Sequence, residues 1–226
     1  MYYTKDINSD NYEIKYMNSY FFIIDSNNYN SVKSNLYGYI CNENGIYTRN
    51  NYVEDCTTNN PFGAYIFIKK NNATITIEQD YYGSYGLYVF KANKYFAISN
   101  SFFLLSEYVS NKYKLSLNND FFNCLLVNDL CSMSISETPI SEIQVLKNNE
   151  YIVINDDQIH IESKAYQENC ISLDSTEAFH ILDQWFLKWT SIIHNVYKNT
   201  TNVTLDLSGG FDTRMILSLL LNSNKL

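Results

Sequence analysis

The first hundred residues are a succession of short β-like apolar runs, several of them separated only by short polar turns, and strand after strand joined in that way means antiparallel sheet. Residues 20–24 form one run, closed by Asp25-Ser26-Asn27-Asn28, and residues 36–40 form another. Asn44-Gly45 is a hairpin-turn signal. Residues 63–68 and 73–77, on either side of Lys69-Lys70-Asn71-Asn72, predict a hairpin. Residues 86–90 and 95–99 flank the polar turn Lys91-Ala92-Asn93-Lys94 in the same way.

Farther along, helices are predicted over 102–109 and 121–127, and two last strands near 142–146 and 151–154. Residues 155–173 turn polar without clear periodicity and read as a linker. They separate a first domain of residues 1–165 from a second of residues 170–226. Asp174 with Glu177 makes a capping pair for a helix. Its apolar positions Phe179, Leu182, Phe186, Trp189, Ile193 and Val196 step by three and four residues, a stripe expected to face a core.

Val203-Thr204-Leu205-Asp206-Leu207 is apolar at every second residue, and Ser208-Gly209-Gly210-Phe211-Asp212-Thr213 leads from it into the apolar run 215–221. The pattern predicts an inner strand of a parallel sheet, a glycine loop and a helix covered on most sides. Paired glycines let backbone amides approach a ligand, and with the positive end of the helix they favour phosphate or pyrophosphate. Ser208 and Thr213 add hydroxyls, and Asp212 is placed to ligate the Mg²⁺ that accompanies a nucleotide. No Gly-Lys-Ser/Thr follows, so this is not the Walker loop. On its six residues alone, the segment reads equally as a tight turn between strand and helix.

The net charge is −8 and no Lys/Arg cluster occurs, which argues against nucleic acid or an anionic membrane as partner. Cys41, Cys56, Cys124, Cys131 and Cys170 never form Cys-x-x-Cys, and with three scattered histidines they offer no zinc pattern. The N-terminus lacks a signal-peptide pattern and no apolar run reaches the length of a membrane span, so a cytoplasmic protein is expected.

Ser208-Gly209-Gly210-Phe211-Asp212-Thr213 resembles the Ser-Gly-Gly-x-Asp-Ser pyrophosphate loop of ATP pyrophosphatases, which cleave ATP to AMP and pyrophosphate. Thr213 keeps the hydroxyl of the final Ser, and Arg214 stands where a small residue is usual. Upstream, Asp80-Tyr81-Tyr82-Gly83-Ser84-Tyr85-Gly86-Leu87-Tyr88 is similar to the Asp-x-x-Gly-x-x-Pro-Leu-Tyr segment of asparagine synthetases. Residues 61–67 and 96–101 and the stretch from Thr138 to Tyr151 echo other segments of that family in order. The resemblance implies an α+β, N-terminal-nucleophile-type sandwich of two antiparallel sheets with helices. The beginning of an α/β parallel-sheet ATP-pyrophosphatase domain follows it. It further implies ATP and Mg²⁺ as cofactors, bound by Ser208, Gly209, Gly210, Asp212 and Thr213, with Asp212 on the metal. A small carboxylate would be adenylated and then converted to an amide by an amine or ammonia.

Two departures shape the functional expectation. A glutaminase of this class places Cys directly after the initiator Met, where the freed α-amine serves as base. Tyr2 stands there, so no catalytic nucleophile is expected and no glutamine hydrolysis. Asp80 matches the family's contact to the glutamine amino group, but Gln79 replaces the Arg beside it, which leaves a degenerate glutamine site and a domain kept as scaffold. A full synthetase domain also continues well past the loop, so the chain is expected to be a fragment or truncated product, not self-sufficient and labile after about residue 170. Docking on the first domain, or self-association as a homodimer, would cover its apolar end. The alternative to an amide ligase is a catalytically inactive scaffold or interaction module.

Overall fold

Phe22 and Ile24 point one way from β2 (Ser19–Asp25) while Phe21 and Ile23 point the other, and both faces are packed, which is why this run is apolar throughout. The computed structural model describes residues 12–17, 19–42, 44–53, 56, 61–127, 137–164, 172, 174–197 and 204–222. The chain divides into two units, Met1–Gly38 with Ala64–Ala165, and Tyr39–Gly63 with Tyr166–Leu226.

In the first unit β1 (Glu13–Tyr16), β2, β8 (Tyr95–Ser99), β7 (Tyr88–Ala92) and β9 (Ile143–Val145) form a sheet in that order, and all its registered pairs are antiparallel. A second sheet runs β11 (Gln158–Ser163), β10 (Glu150–Asn155), β6 (Thr74–Gln79), β5 (Phe62–Asn71), β3 (Asn35–Asn42) and β4 (Gly45–Thr48). Phe22, Ile24, Val89, Phe96 and Ile98 from the first sheet meet Ile66, Ile68, Ile75, Ile77, Ile152 and Ile154 from the second in one buried core. Each such side chain contributes about 1.5–3 kcal/mol on burial. Tight turns close the hairpins, with Asn72, Asn93 and the pair Asp156-Asp157 taking the positive φ that Asn and Asp tolerate best after Gly.

The outer face of the first sheet is covered by α1 (Phe102–Ser110), whose Leu105 and Val109, one turn apart, pack on Phe90, Ala97 and Ile143. Ser101 starts this helix by accepting from the Leu104 N–H at 3.3 Å. α2 (Asn119–Val127) buries no side chain among the described residues. In the second unit α3 (Thr176–Tyr197) packs against β4 and against α4 (Phe211–Asn222), and Phe62 meets the Trp189 ring edge-on at 4.2 Å.

The two antiparallel sheets with helices agree with the sequence reading, and four details correct it. Residues 158–163 of the expected linker form β11, which pairs residue for residue with β10; Ile159 and Ile161 supplied the alternation, masked by polar neighbours. Ser175, and not Asp174 with Glu177, caps α3 by accepting from the Ala178 N–H at 3.1 Å. The buried positions of α3 are Ala178 and Ile192, so Phe179 and Leu182 of the expected stripe lie exposed. Residues 204–208 pair with no strand among the described residues, and Leu207 is 60% exposed, so the expected inner strand lacks the ladder partner that defines one. Val203 and Tyr2 lie outside the described residues.

Candidate functional site

Ser208, Gly209 and Gly210 lead directly into the first turn of α4, where the helix presents its unpaired N–H groups. The Ser208 and Thr213 hydroxyls are 3.1 Å apart, and the Gly210 N–H donates to Ser208 Oγ at 3.2 Å. Thr213 Oγ1 also donates to the Ser208 carbonyl at 3.1 Å, which folds the loop back on the helix. All of these residues except Thr213 are exposed, and a Cβ added at Gly209 would meet nothing within 4 Å. Asp212 stands in the same first turn. Arg214, the departure from the family pattern, donates to the Gly210 carbonyl at 3.3 Å and lays its guanidinium 4.6 Å from the Phe211 ring centroid. The loop therefore gathers amides, two hydroxyls and one carboxylate at the positive end of a helix of 12 residues, an all-oxygen side-chain set that suits Mg²⁺ alongside a phosphate. Among the described residues no group of three or more His, Cys, Asp or Glu comes together, so the site would draw its remaining metal ligands from the phosphates and water.

Asp80 lies in the other unit and does something different. Its carboxylate is 2% exposed and accepts from the N–H groups of Tyr65 at 3.2 Å, Tyr82 at 3.0 Å and Ser84 at 3.0 Å, and from the Ser84 hydroxyl at 2.9 Å. These donors shape the loop after β6 and leave no lone pair turned outward for the ammonium of a ligand. Gln79 is likewise spent on structure, donating to the carbonyls of Leu146 and Lys147 at 3.2 and 2.7 Å. Asp80→Ala would strip four donors of their acceptor at once. It is expected to lower stability by about 2–4 kcal/mol, read as a fall in the urea midpoint. An unchanged midpoint would show that the loop holds itself.

Sequence reasoning overlooked Asp25, which is 0% exposed at the end of β2. It accepts from Tyr95 Oη at 2.7 Å, Tyr108 Oη at 2.9 Å and the N–H groups of Asn27 and Asn28 at 2.9 and 3.0 Å, with Lys112 Nζ at 3.6 Å. Burial pushes the Asp25 carboxyl up, but donation from Tyr95, the Asn27 amide and Tyr108, together with the Lys112 charge, more than reverses this and leaves it below its ordinary value. Burial, then Asp25 itself, pushes both tyrosines up, which keeps them as donors. The sequence signal was an Asp closing an otherwise apolar run. No disulfide joins Cys41, Cys56 or Cys124 among the described residues, and burial pushes Cys41 up, away from the thiolate a nucleophile needs.

No family model matches the chain, and no curated protein does. Among solved structures it is similar to glutamine phosphoribosylpyrophosphate (PRPP) amidotransferase from B. subtilis, solved with ADP and GMP, at 11% identity and a TM-score of 0.33. The match covers 69% of this chain and 31% of that one, so the chain spans about a third of that protein's length. No helix among the described residues is long and apolar enough to cross a membrane.

Proposed function

We propose that this chain carries the pyrophosphate loop of an ATP-dependent, AMP-forming amide ligase of the asparagine synthetase kind, joined to an amidotransferase-like domain that has lost its glutaminase. The observation supporting it is the exposed loop at the start of α4, where the Ser208 and Thr213 hydroxyls, the Gly209-Gly210 backbone and Asp212 adjoin the helix N-terminus. Amides and hydroxyls there hold the pyrophosphate of ATP and orient it. Asp212 would hold the Mg²⁺, which supplies neutralising charge to the leaving pyrophosphate when bound. The acceptor is a small carboxylate, with an amine or ammonia as nitrogen donor. The closed Asp80 carboxylate supports the loss of glutamine binding.

A second reading, an inactive scaffold or interaction module, is favoured by the unpaired segment 204–208 and the exposed apolar side chains of α4. Magnesium pyrophosphate titrated into the ¹⁵N-labelled chain separates the two. The amides of residues 208–214 are expected to shift, Asp212→Ala to weaken binding about tenfold or more, and Gly210→Val to abolish it by blocking backbone approach. Absence of shifts in the unaltered protein would remove the nucleotide reading and leave the module.

A further inference from the structure

Between β1, β2 and the first turns of α1 lies a cavity of about 400 Å³, within the size range of sites that take small molecules. Ile14, Tyr16, Phe21, Phe103 and Leu104 make its walls apolar and largely aromatic, and only Ser101 and Glu107 interrupt them. The Ser101 hydroxyl is committed to capping α1. Glu107 is not so occupied. Its backbone carbonyl accepts from Ser110 and Asn111, but the residue is half-buried at the cavity and its carboxylate has no ion-pair partner among the described residues. The described cations nearby in sequence are engaged elsewhere: Lys15 of β1 lies over the Tyr20 ring at 5.4 Å, and Lys112, just after α1, is drawn to Asp25.

A carboxylate at the edge of an apolar cavity, without an ion-pair partner among the described residues, is complementary to a ligand that brings both a positive charge and apolar surface. The aromatic walls add to the same preference, since ring faces attract a cation. We propose that this cavity binds a small organic cation, a protonated amine on an apolar body of phenylalkyl size. Its ammonium pairs with Glu107, and its apolar part lies among Phe21, Phe103 and Leu104. Its described lining residues all belong to the first unit.

The test uses 2-phenylethylammonium and its uncharged counterpart 2-phenylethanol, titrated into the full chain by calorimetry or saturation-transfer NMR. The amine is expected to bind with a Kd of about 1 mM or tighter, and the alcohol roughly tenfold more weakly. Glu107→Gln should erase the preference for the amine while leaving the alcohol's affinity unchanged, which also reports that the cavity is intact. Phe103 is 81% exposed at the cavity lip, so Phe103→Ala should fold normally and weaken both ligands severalfold. No binding of the amine at about 10 mM, equal binding of amine and alcohol, or a preference that survives Glu107→Gln would each overturn the assignment.

Discussion

Gly38→Ala is expected to leave little or no stably folded protein. Gly38 has φ +89°, where an L side chain is strained, and a Cβ there would lie 2.1 Å from the Ala64 carbonyl oxygen and 2.7 Å from the Tyr85 ring. A flexible side chain could yield, but a backbone carbonyl on the neighbouring strand cannot move without parting β3 from β5. Separating those strands opens the sheet that supplies Ile66 and Ile68 to the core. The expected loss exceeds about 4 kcal/mol, a large share of the roughly 5–15 kcal/mol that stabilises a domain. Thermal unfolding and soluble yield measure it, with Gly209→Ala as the control. Nothing lies within 4 Å of a Cβ at Gly209, and the change there should stay within about 0.5 kcal/mol. A Gly38→Ala protein that melts within a few degrees of the parent would mean the two strands do not approach as described.

Asp25→Ala should cost about 3–5 kcal/mol, because it abandons two tyrosine hydroxyls, two backbone amides and a lysine around a buried position. The conservative Asp25→Asn exposes the charge alone and predicts a pH dependence. Because the folded carboxyl lies below its ordinary value of 3.8, its contribution is complete above that pH and is lost as the pH falls through the folded value. The stability gap between the parent and Asp25→Asn should therefore be constant near neutrality and narrow only below about pH 3.8. Parallel urea denaturation series across this range provide the measurement, and a gap that narrows already between pH 7 and 5 would contradict a depressed Asp25.

Strand content was legible because the inward positions of β6, β8 and β10 alternate with polar or smaller residues, and because Asn-rich turns punctuate them. Two of the edge strands were harder to read. β11 carries only Ile159 and Ile161 between polar residues, and β1 is four residues long, so neither stands out from a loop by composition. The loop at α4 was visible as a motif because paired glycines between two apolar runs are rare in a chain with seven glycines. The roles of Asp80 and Asp25 could not be read in the same way. Both are single acidic residues at strand ends, and only the fold determines whether such a carboxylate meets a ligand or the surrounding amides and hydroxyls.

The shared core also bears on how the chain is made. The Phe22 N–H bonds to Asn100 at a separation of 78 residues, and Gln79 bonds to Leu146 across 67. The β5–β6 and β7–β8 hairpins can form as they leave the ribosome, but β2 must wait for β8, and the open edge of β6 must wait for β10. At roughly 5–20 residues per second, that interval lasts several seconds, during which strand edges that are paired in the finished fold stand open. Long-range pairing of this kind slows folding as well. The yield of folded protein should therefore depend on the pace of translation as well as on the strength of any single contact.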